Sequence, residues 1–396
     1  MFASLPLLPP DPILGLSAAY QADPNPQKVD LGVGIYKDDA GRTPIMTAVA
    51  KAEQLRFNNE VSKVYTAPAG YPGANEAAMH LGFGAEHPAV QGQRVRTIQT
   101  PGGCGALRVA AEFVKRAKPT ARIWVSTPTW ANHVPLLGNA GLELKEYPYY
   151  DYANHQIDFA RMCEVLATVP EGDLVLLHAC CHNPSGADLS REQWDVVAAM
   201  AEKQGFVPFI DMAYQGFGVG LDEDAYGLRL LASRVPEVIV AASYSKNFGL
   251  YRERAGSLSV VFANPEQANA GYSQLLNVTR GMYSMPPAHG AAIIDLILHS
   301  QELTAEWQQE LASMRVRIQS LRESLVAQLH DVQTKQRFDF IAKEKGMFSF
   351  LGLNEAQVTT LKKAFSIYMT NNSRINVAGL TPEKMAYVAK AIASVL

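Results

Sequence analysis

The stretch SYSKNFGLYRERAG, residues 243–256, places a single lysine, Lys246, between a hydroxyl at Ser243 and a guanidinium at Arg254. It follows the apolar run EVIVAA, so Lys246 stands just past the end of a buried-looking strand. A lysine attacks only as its neutral amine, and its ordinary pKa lies far above neutrality. Desolvation and a neighbouring cation such as Arg254 both push that pKa down. Other strand-like runs end on chemistry too. FVPFID ends in Asp211 with Tyr214 three residues on, and DLVLLHA runs into CCHNPSG, which carries Asn183. VRTIQT runs through PGGCG, with Gly103 and Cys104, straight into a helical pattern. A glycine turn at a helix start offers free backbone N–H groups to an anion. GGCG matches neither the GxxxxGK[ST] loop nor GxGxxG, so by itself it reads as a tight turn or as an anion seat.

Taken together these groups have one chemistry in common. An amine condenses with an aldehyde, a carboxylate holds a pyridine nitrogen protonated, and a guanidinium clamps a phosphate. Those are the three handles of pyridoxal 5′-phosphate.

The elements that must position them alternate. From about residue 94, VRTIQT, ALRVAAEFVKRA, RIWVS, DLVLLHA, REQWDVVAAMAEKQ, FVPFID and EVIVAAS switch between short apolar runs and amphipathic helices. This is the pattern of an α/β fold, a mostly parallel sheet flanked by helices, whose ligands collect at the carboxyl ends of the strands. In LTAEWQQELASMRVRIQSLRESLVAQL, Leu303, Trp307, Leu311, Met314, Ile318, Leu321 and Leu325 recur every three or four residues and predict one long helix. Strand-like FDFIA and MFSFLG and two final helical patterns make a smaller α+β unit. The expected organisation is an N-terminal arm and part of the small domain over 1–44, a large domain over 45–298, and an interdomain helix with the small domain over 299–396.

With 396 residues, 48% hydrophobic composition and a net charge of −3, the chain can bury two cores but lacks the basic field of a nucleic-acid binder. No apolar run reaches the roughly 18 to 20 residues that span a bilayer. Four cysteines without a CxxC pair predict neither a disulfide framework nor a metal site. A soluble, cytoplasmic protein is expected.

Seven co-linear motifs, SYSKNFGLYRERAG, DMAYQGFG, CCHNPSGADL, TPGGCGALRVAAEF, TPTWANH, YSMPPAHG and SRINVAGL, together resemble the class I aminotransferases of the aspartate/aromatic branch, pyridoxal-phosphate enzymes of fold type I. The likeness runs from DPILGL near the N-terminus to the last helix. It implies that Lys246 is the Schiff-base lysine, that Asp211 pairs with the pyridinium nitrogen, and that Tyr214 and Asn183 bond the ring oxygen. It further implies that Trp130 stacks on the ring, with His133 behind Asp211. Ser243, Arg254, Gly103 and Cys104 match the phosphate cup, with Tyr65 reaching in from a second subunit. Arg374 matches the grip on the substrate α-carboxylate, Arg280 the neighbour's arginine for a distal carboxylate, and Gly34 the backbone that closes over substrate. A homodimer with shared sites follows. The implied reaction is ping-pong transamination of L-aspartate with 2-oxoglutarate, giving oxaloacetate and L-glutamate through pyridoxamine phosphate. An aromatic-amino-acid or dual-specificity enzyme is the alternative.

The chain departs from the family at three places. Cys104 stands where a hydroxyl is common, and a thiol is the weaker donor. Val64 and Met285 stand where the aspartate enzymes tend to carry asparagine. Against these, Lys37, Thr43 and Asn376 resemble the aspartate enzymes.

Overall fold

The computed structural model describes residues 2–8, 12–332 and 337–396. Asp11 of the DPILGL motif lies outside them. The chain divides into two compact units, one of Pro44–Asn183 and Ala187–Val316, the other of Met1–Thr43, Pro184–Gly186 and Arg317–Leu396.

The larger unit is built on a seven-stranded sheet. In chain order its strands are β1 (Val95–Pro101), β2 (Arg122–Thr127), β3 (Glu143–Pro148), β4 (Leu174–His178), β5 (Val207–Met212), β6 (Val238–Ser243) and β7 (Ala255–Val261). They lie in the order β1-β7-β6-β5-β4-β2-β3, all neighbours parallel except that β7 runs antiparallel to both β1 and β6. Every residue of β6 and β7 is buried, which is why these strands read as continuous rather than alternating runs. Ile98, Leu107, Ile123, Leu176, Phe209 and Leu258 belong to one core cluster on this sheet, shared with the helices Gly102–Ala117 and Pro265–Met282.

In the smaller unit β8 (Phe348–Phe350) pairs antiparallel with β9 (Arg374–Asn376), and Val29–Asp30 pairs parallel with Ile367–Tyr368. The helices Glu355–Phe365 and Pro382–Val395 complete it. The long helix spans Gln301–Asp331, and all seven apolar positions picked out by periodicity are buried. FDFIA is not a strand. Phe340–Lys343 forms a four-residue helix with Asp339 in front of it, and Phe338 and Ile341, three apart, are the two fully buried positions. Spacing of three serves a helical turn, whereas a strand would have buried alternate residues.

Candidate active site

Three parallel strands deliver their last residues to one place. Asp211, in β5, stands in register with His178 at the end of β4, and β6 ends at Ser243, three residues before Lys246. Asp211 is buried, and its Oδ2 accepts a hydrogen bond of 2.9 Å from His133 Nε2. Burial alone would raise its pKa, but the hydrogen bond from His133 and the nearby charge of Lys246 help to outweigh that, and it is held below the usual carboxylate value. His133 Nδ1 lies 2.8 Å from Thr129 Oγ1, which in turn lies 3.4 Å from His178 Nε2. Burial pushes His178 down to about 3, so it stays neutral at ordinary pH. If the Thr129 hydroxyl donates to His133 Nδ1, His133 keeps its proton on Nε2 and points it at Asp211. Trp130 packs edge-on against His133, with ring centroids 5.2 Å apart.

The Lys246 ammonium sits 4.8 Å from the centroid of the Tyr214 ring. Its pKa is pushed down chiefly by burial, with Arg254 adding to the shift while Asp211 and Cys104 oppose it. Tyr214 and Asn183 are both buried beyond the ends of β5 and β4.

Beside them lies a seat built almost entirely from backbone. Gly102 has φ +69°, and a Cβ there would come within 2.4 Å of Arg254 Nη2. A Cβ on Gly103 would lie 3.0 Å from the Ser243 Cβ, and one on Gly256 2.5 Å from the Gly102 carbonyl carbon. The seat opens at the N-terminus of the 16-residue helix Gly102–Ala117. Arg254, itself exposed, is held by donating from Nη1 to Ser245 Oγ at 3.2 Å and to the Tyr251 carbonyl at 2.8 Å. Such a cradle of helix N–H groups, hydroxyls and one guanidinium fits a phosphate. Cys104, on the first turn, feels Arg254, Lys246 and Asp211, although burial is the larger influence and raises its thiol pKa. Its sulfur accepts a weak bond of 3.8 Å from Asn132 Nδ2. The amine, the buried carboxylate and the phosphate seat lie within one cluster, so the residues fit pyridoxal phosphate.

Tyr65 and Arg280 are elsewhere. Tyr65 is 86% exposed, and Arg280 is exposed on the last turn of the helix Pro265–Met282. Both line a cavity of about 740 Å³ together with Val64, Ser284 and Met285, and none of the residues at the ends of β4, β5 and β6 lines it. Arg280 donates to the Ser284 hydroxyl.

In the smaller unit Arg374 is 5% exposed, donates from Nη2 to the Gly32 carbonyl at 2.8 Å, and lies 4.3 Å from the centroid of the Phe348 ring. Gly34 packs on the same ring, since a Cβ there would come within 2.6 Å of Phe348 Cζ. Asn376 donates to the carbonyls of Val33 at 2.7 Å and Ile35 at 2.8 Å, fixing the backbone around Gly34. Lys37 pairs with Asp30 at 3.3 Å, and the Thr43 hydroxyl donates to the Tyr36 carbonyl at 2.9 Å.

Sequence reasoning overlooked Thr129, His178, Ser245 and Phe348. For His178 a signal existed, because it closes a strand next to the one bearing Asp211. For the others only the folded geometry reveals the contact.

A seven-stranded sheet with an amine, a buried carboxylate and a phosphate seat at its strand ends defines a fold type I enzyme. The chain belongs to the aminotransferase class I and II family, whose model matches residues 26–392. It is 47% identical to an aspartate aminotransferase of Salmonella typhi over 396 residues, all of both chains. It is 45% identical to an aromatic-amino-acid aminotransferase of Paracoccus denitrificans over 395 residues, again with full coverage of both. Among solved structures, an aromatic-amino-acid aminotransferase from Burkholderia pseudomallei, covalently bound to pyridoxal phosphate, superposes with a TM-score of 0.98 at 42% identity, covering 100% of this chain and 99% of that one. Among the described residues no helix is long and apolar enough to cross a membrane.

Proposed function

We propose that the chain is a cytoplasmic, homodimeric, pyridoxal-phosphate-dependent aminotransferase that exchanges L-aspartate and 2-oxoglutarate for oxaloacetate and L-glutamate. Bound in the seat, the cofactor supplies an aldehyde for an amine and an electron sink for the charge left at the substrate Cα. Lys246 Nζ, favoured in its neutral form by burial, would take the proton from Cα and deliver it to the C4′ carbon of the bound cofactor. Asp211, kept as a carboxylate by His133, faces the pyridine nitrogen. Tyr214 and Asn183 bond the ring oxygen, and Trp130 covers the ring and excludes water. Ser243, Arg254 and the backbone of Gly103 and Cys104 hold the phosphate. Arg374 grips the α-carboxylate as a planar fork, which lysine could not reproduce, and Gly34 closes over it.

The observation that carries the dicarboxylate reading is the exposed Arg280 guanidinium beside Tyr65 in a cavity apart from Lys246. A cation placed there suits the distal carboxylate of a substrate held by a second copy of the chain. Val64 and Met285 line the same cavity and favour a second reading, an aromatic or dual-specificity enzyme. The test is kcat/KM of the holoenzyme for L-aspartate and L-phenylalanine with 2-oxoglutarate as acceptor. A clear preference for aspartate supports the first reading, and comparable or better use of phenylalanine supports the second.

A further inference from the structure

We propose that Arg322 is a positioning residue that sets the Arg374 carboxylate clamp by way of Phe348. The inference rests on the reading of Arg374 given above. Arg322 lies on the helix Gln301–Asp331 and is fully buried. Its Nη1 donates to the Ile341 carbonyl at 3.0 Å and to Ser349 Oγ at 2.7 Å. Its Nη2 donates to the carbonyls of Lys345 at 3.2 Å, Gly346 at 2.7 Å and Phe348 at 2.7 Å. One guanidinium thus gathers four carbonyls and a hydroxyl of the segment 341–349. Glu344, 3.5 Å from Nη1 and bonded by the Ser349 hydroxyl, balances the charge.

That segment leads into β8, the strand paired with β9. Phe350 stands opposite Arg374 and Phe348 opposite Asn376. The Phe348 ring is the surface on which both the Arg374 guanidinium and Gly34 rest. Arg322 therefore grips the backbone of the residue whose side chain supports the clamp. A buried ion pair is a weak source of stability compared with packed apolar groups, whereas its fixed fork specifies one backbone arrangement. The Phe348 backbone, from which the ring projects, cannot shift without breaking the bond from Arg322 to its carbonyl.

The experiment compares the holoenzymes of Arg322→Lys, Phe348→Leu and Arg374→Lys with the parent, measuring KM and kcat for the amino acid and the affinity for maleate, a dicarboxylate probe. A lysine cannot span the five acceptors, and a displacement on the order of 1 Å in a substrate-holding group is costly, so KM should rise about tenfold in Arg322→Lys while kcat changes by less than about threefold. Maleate should weaken in parallel, and the cofactor absorbance should stay unchanged. Arg322→Lys combined with Phe348→Leu should be no worse than Phe348→Leu alone, because both act through one ring. Unchanged KM in Arg322→Lys and Phe348→Leu, with a raised KM in Arg374→Lys, would overturn the proposal while leaving the clamp intact. An unchanged KM in Arg374→Lys would instead overturn the reading of the clamp. Should Arg322→Lys fail to fold, Ser349→Ala, which removes the one side-chain hydroxyl that Arg322 holds in this segment, takes its place: a raised KM is expected, and an unchanged KM would overturn the proposal.

Discussion

His178 and Asp211 face each other in register on adjacent parallel strands, and Thr129 and His133 connect them through hydrogen bonds. One member of the pair is a buried neutral imidazole and the other a buried carboxylate, and because the fold lowers the pKa of both, each makes stability fall as pH drops through its own window.

Burial takes His178 from an ordinary histidine value down to about 3. Between those values the unfolded chain binds a proton that the folded chain refuses, so stability falls as pH drops across this window. Replacing His178 by asparagine should flatten the acid limb there, removing on the order of a few kcal/mol of pH dependence. Urea titrations from pH 7 to pH 3 check this. A limb as steep as the parent's would mean that His178 is protonated in the folded state.

Asp211 affects Lys246 in a calculable direction. Burial lowers the Lys246 pKa and the Asp211 carboxylate opposes the shift, so Asp211→Asn should lower it further. The pH dependence of Lys246 acetylation in cofactor-free protein, read by peptide mass spectrometry, should move to lower pH. The same variant should lose about a hundredfold or more in turnover, the scale seen when a fixed electrostatic partner is removed.

Cys104 tests the phosphate seat. A thiol is a poor donor, so Cys104→Ser should slow cofactor loss about fivefold, while Cys104→Ala should leave it near the parent rate. Dialysis followed by absorbance measures both. Cofactor should also shield Cys104 from iodoacetamide, and absence of shielding would place the thiol outside the seat.

Tyr65 and Arg280 line a cavity apart from Lys246, and the proposal assigns them to the partner's site. Lys246→Ala and Arg280→Leu chains, each inactive toward aspartate alone, should therefore complement when unfolded and refolded together. Half of the dimers are then mixed, each with one intact site, so about a quarter of the parent activity should return. No recovery would mean that each chain supplies its own Arg280.

Much of this architecture could be read from the sequence because short apolar runs and amphipathic helices have different periods. Lys246, Asp211, Tyr214 and Asn183 were visible because each follows such a run. Other features had no local signal. FDFIA looks like a strand until the burial of Phe338 and Ile341 shows a helical spacing. Arg322 falls within an amphipathic helix where a charge would be expected on the wet face, yet it is fully buried because its partners lie 19 to 27 residues further along the chain. Thr129 and Ser245 act through short side chains whose contacts appear only once the strand ends are brought together.

Lys246 is proposed as the amine that holds the cofactor. Borohydride reduction of the holoenzyme, followed by proteolysis and peptide mass spectrometry, tests it most directly. A single phosphopyridoxyl label is expected on Lys246, and none in Lys246→Ala. A label on another lysine, or an undiminished label in Lys246→Ala, would contradict it.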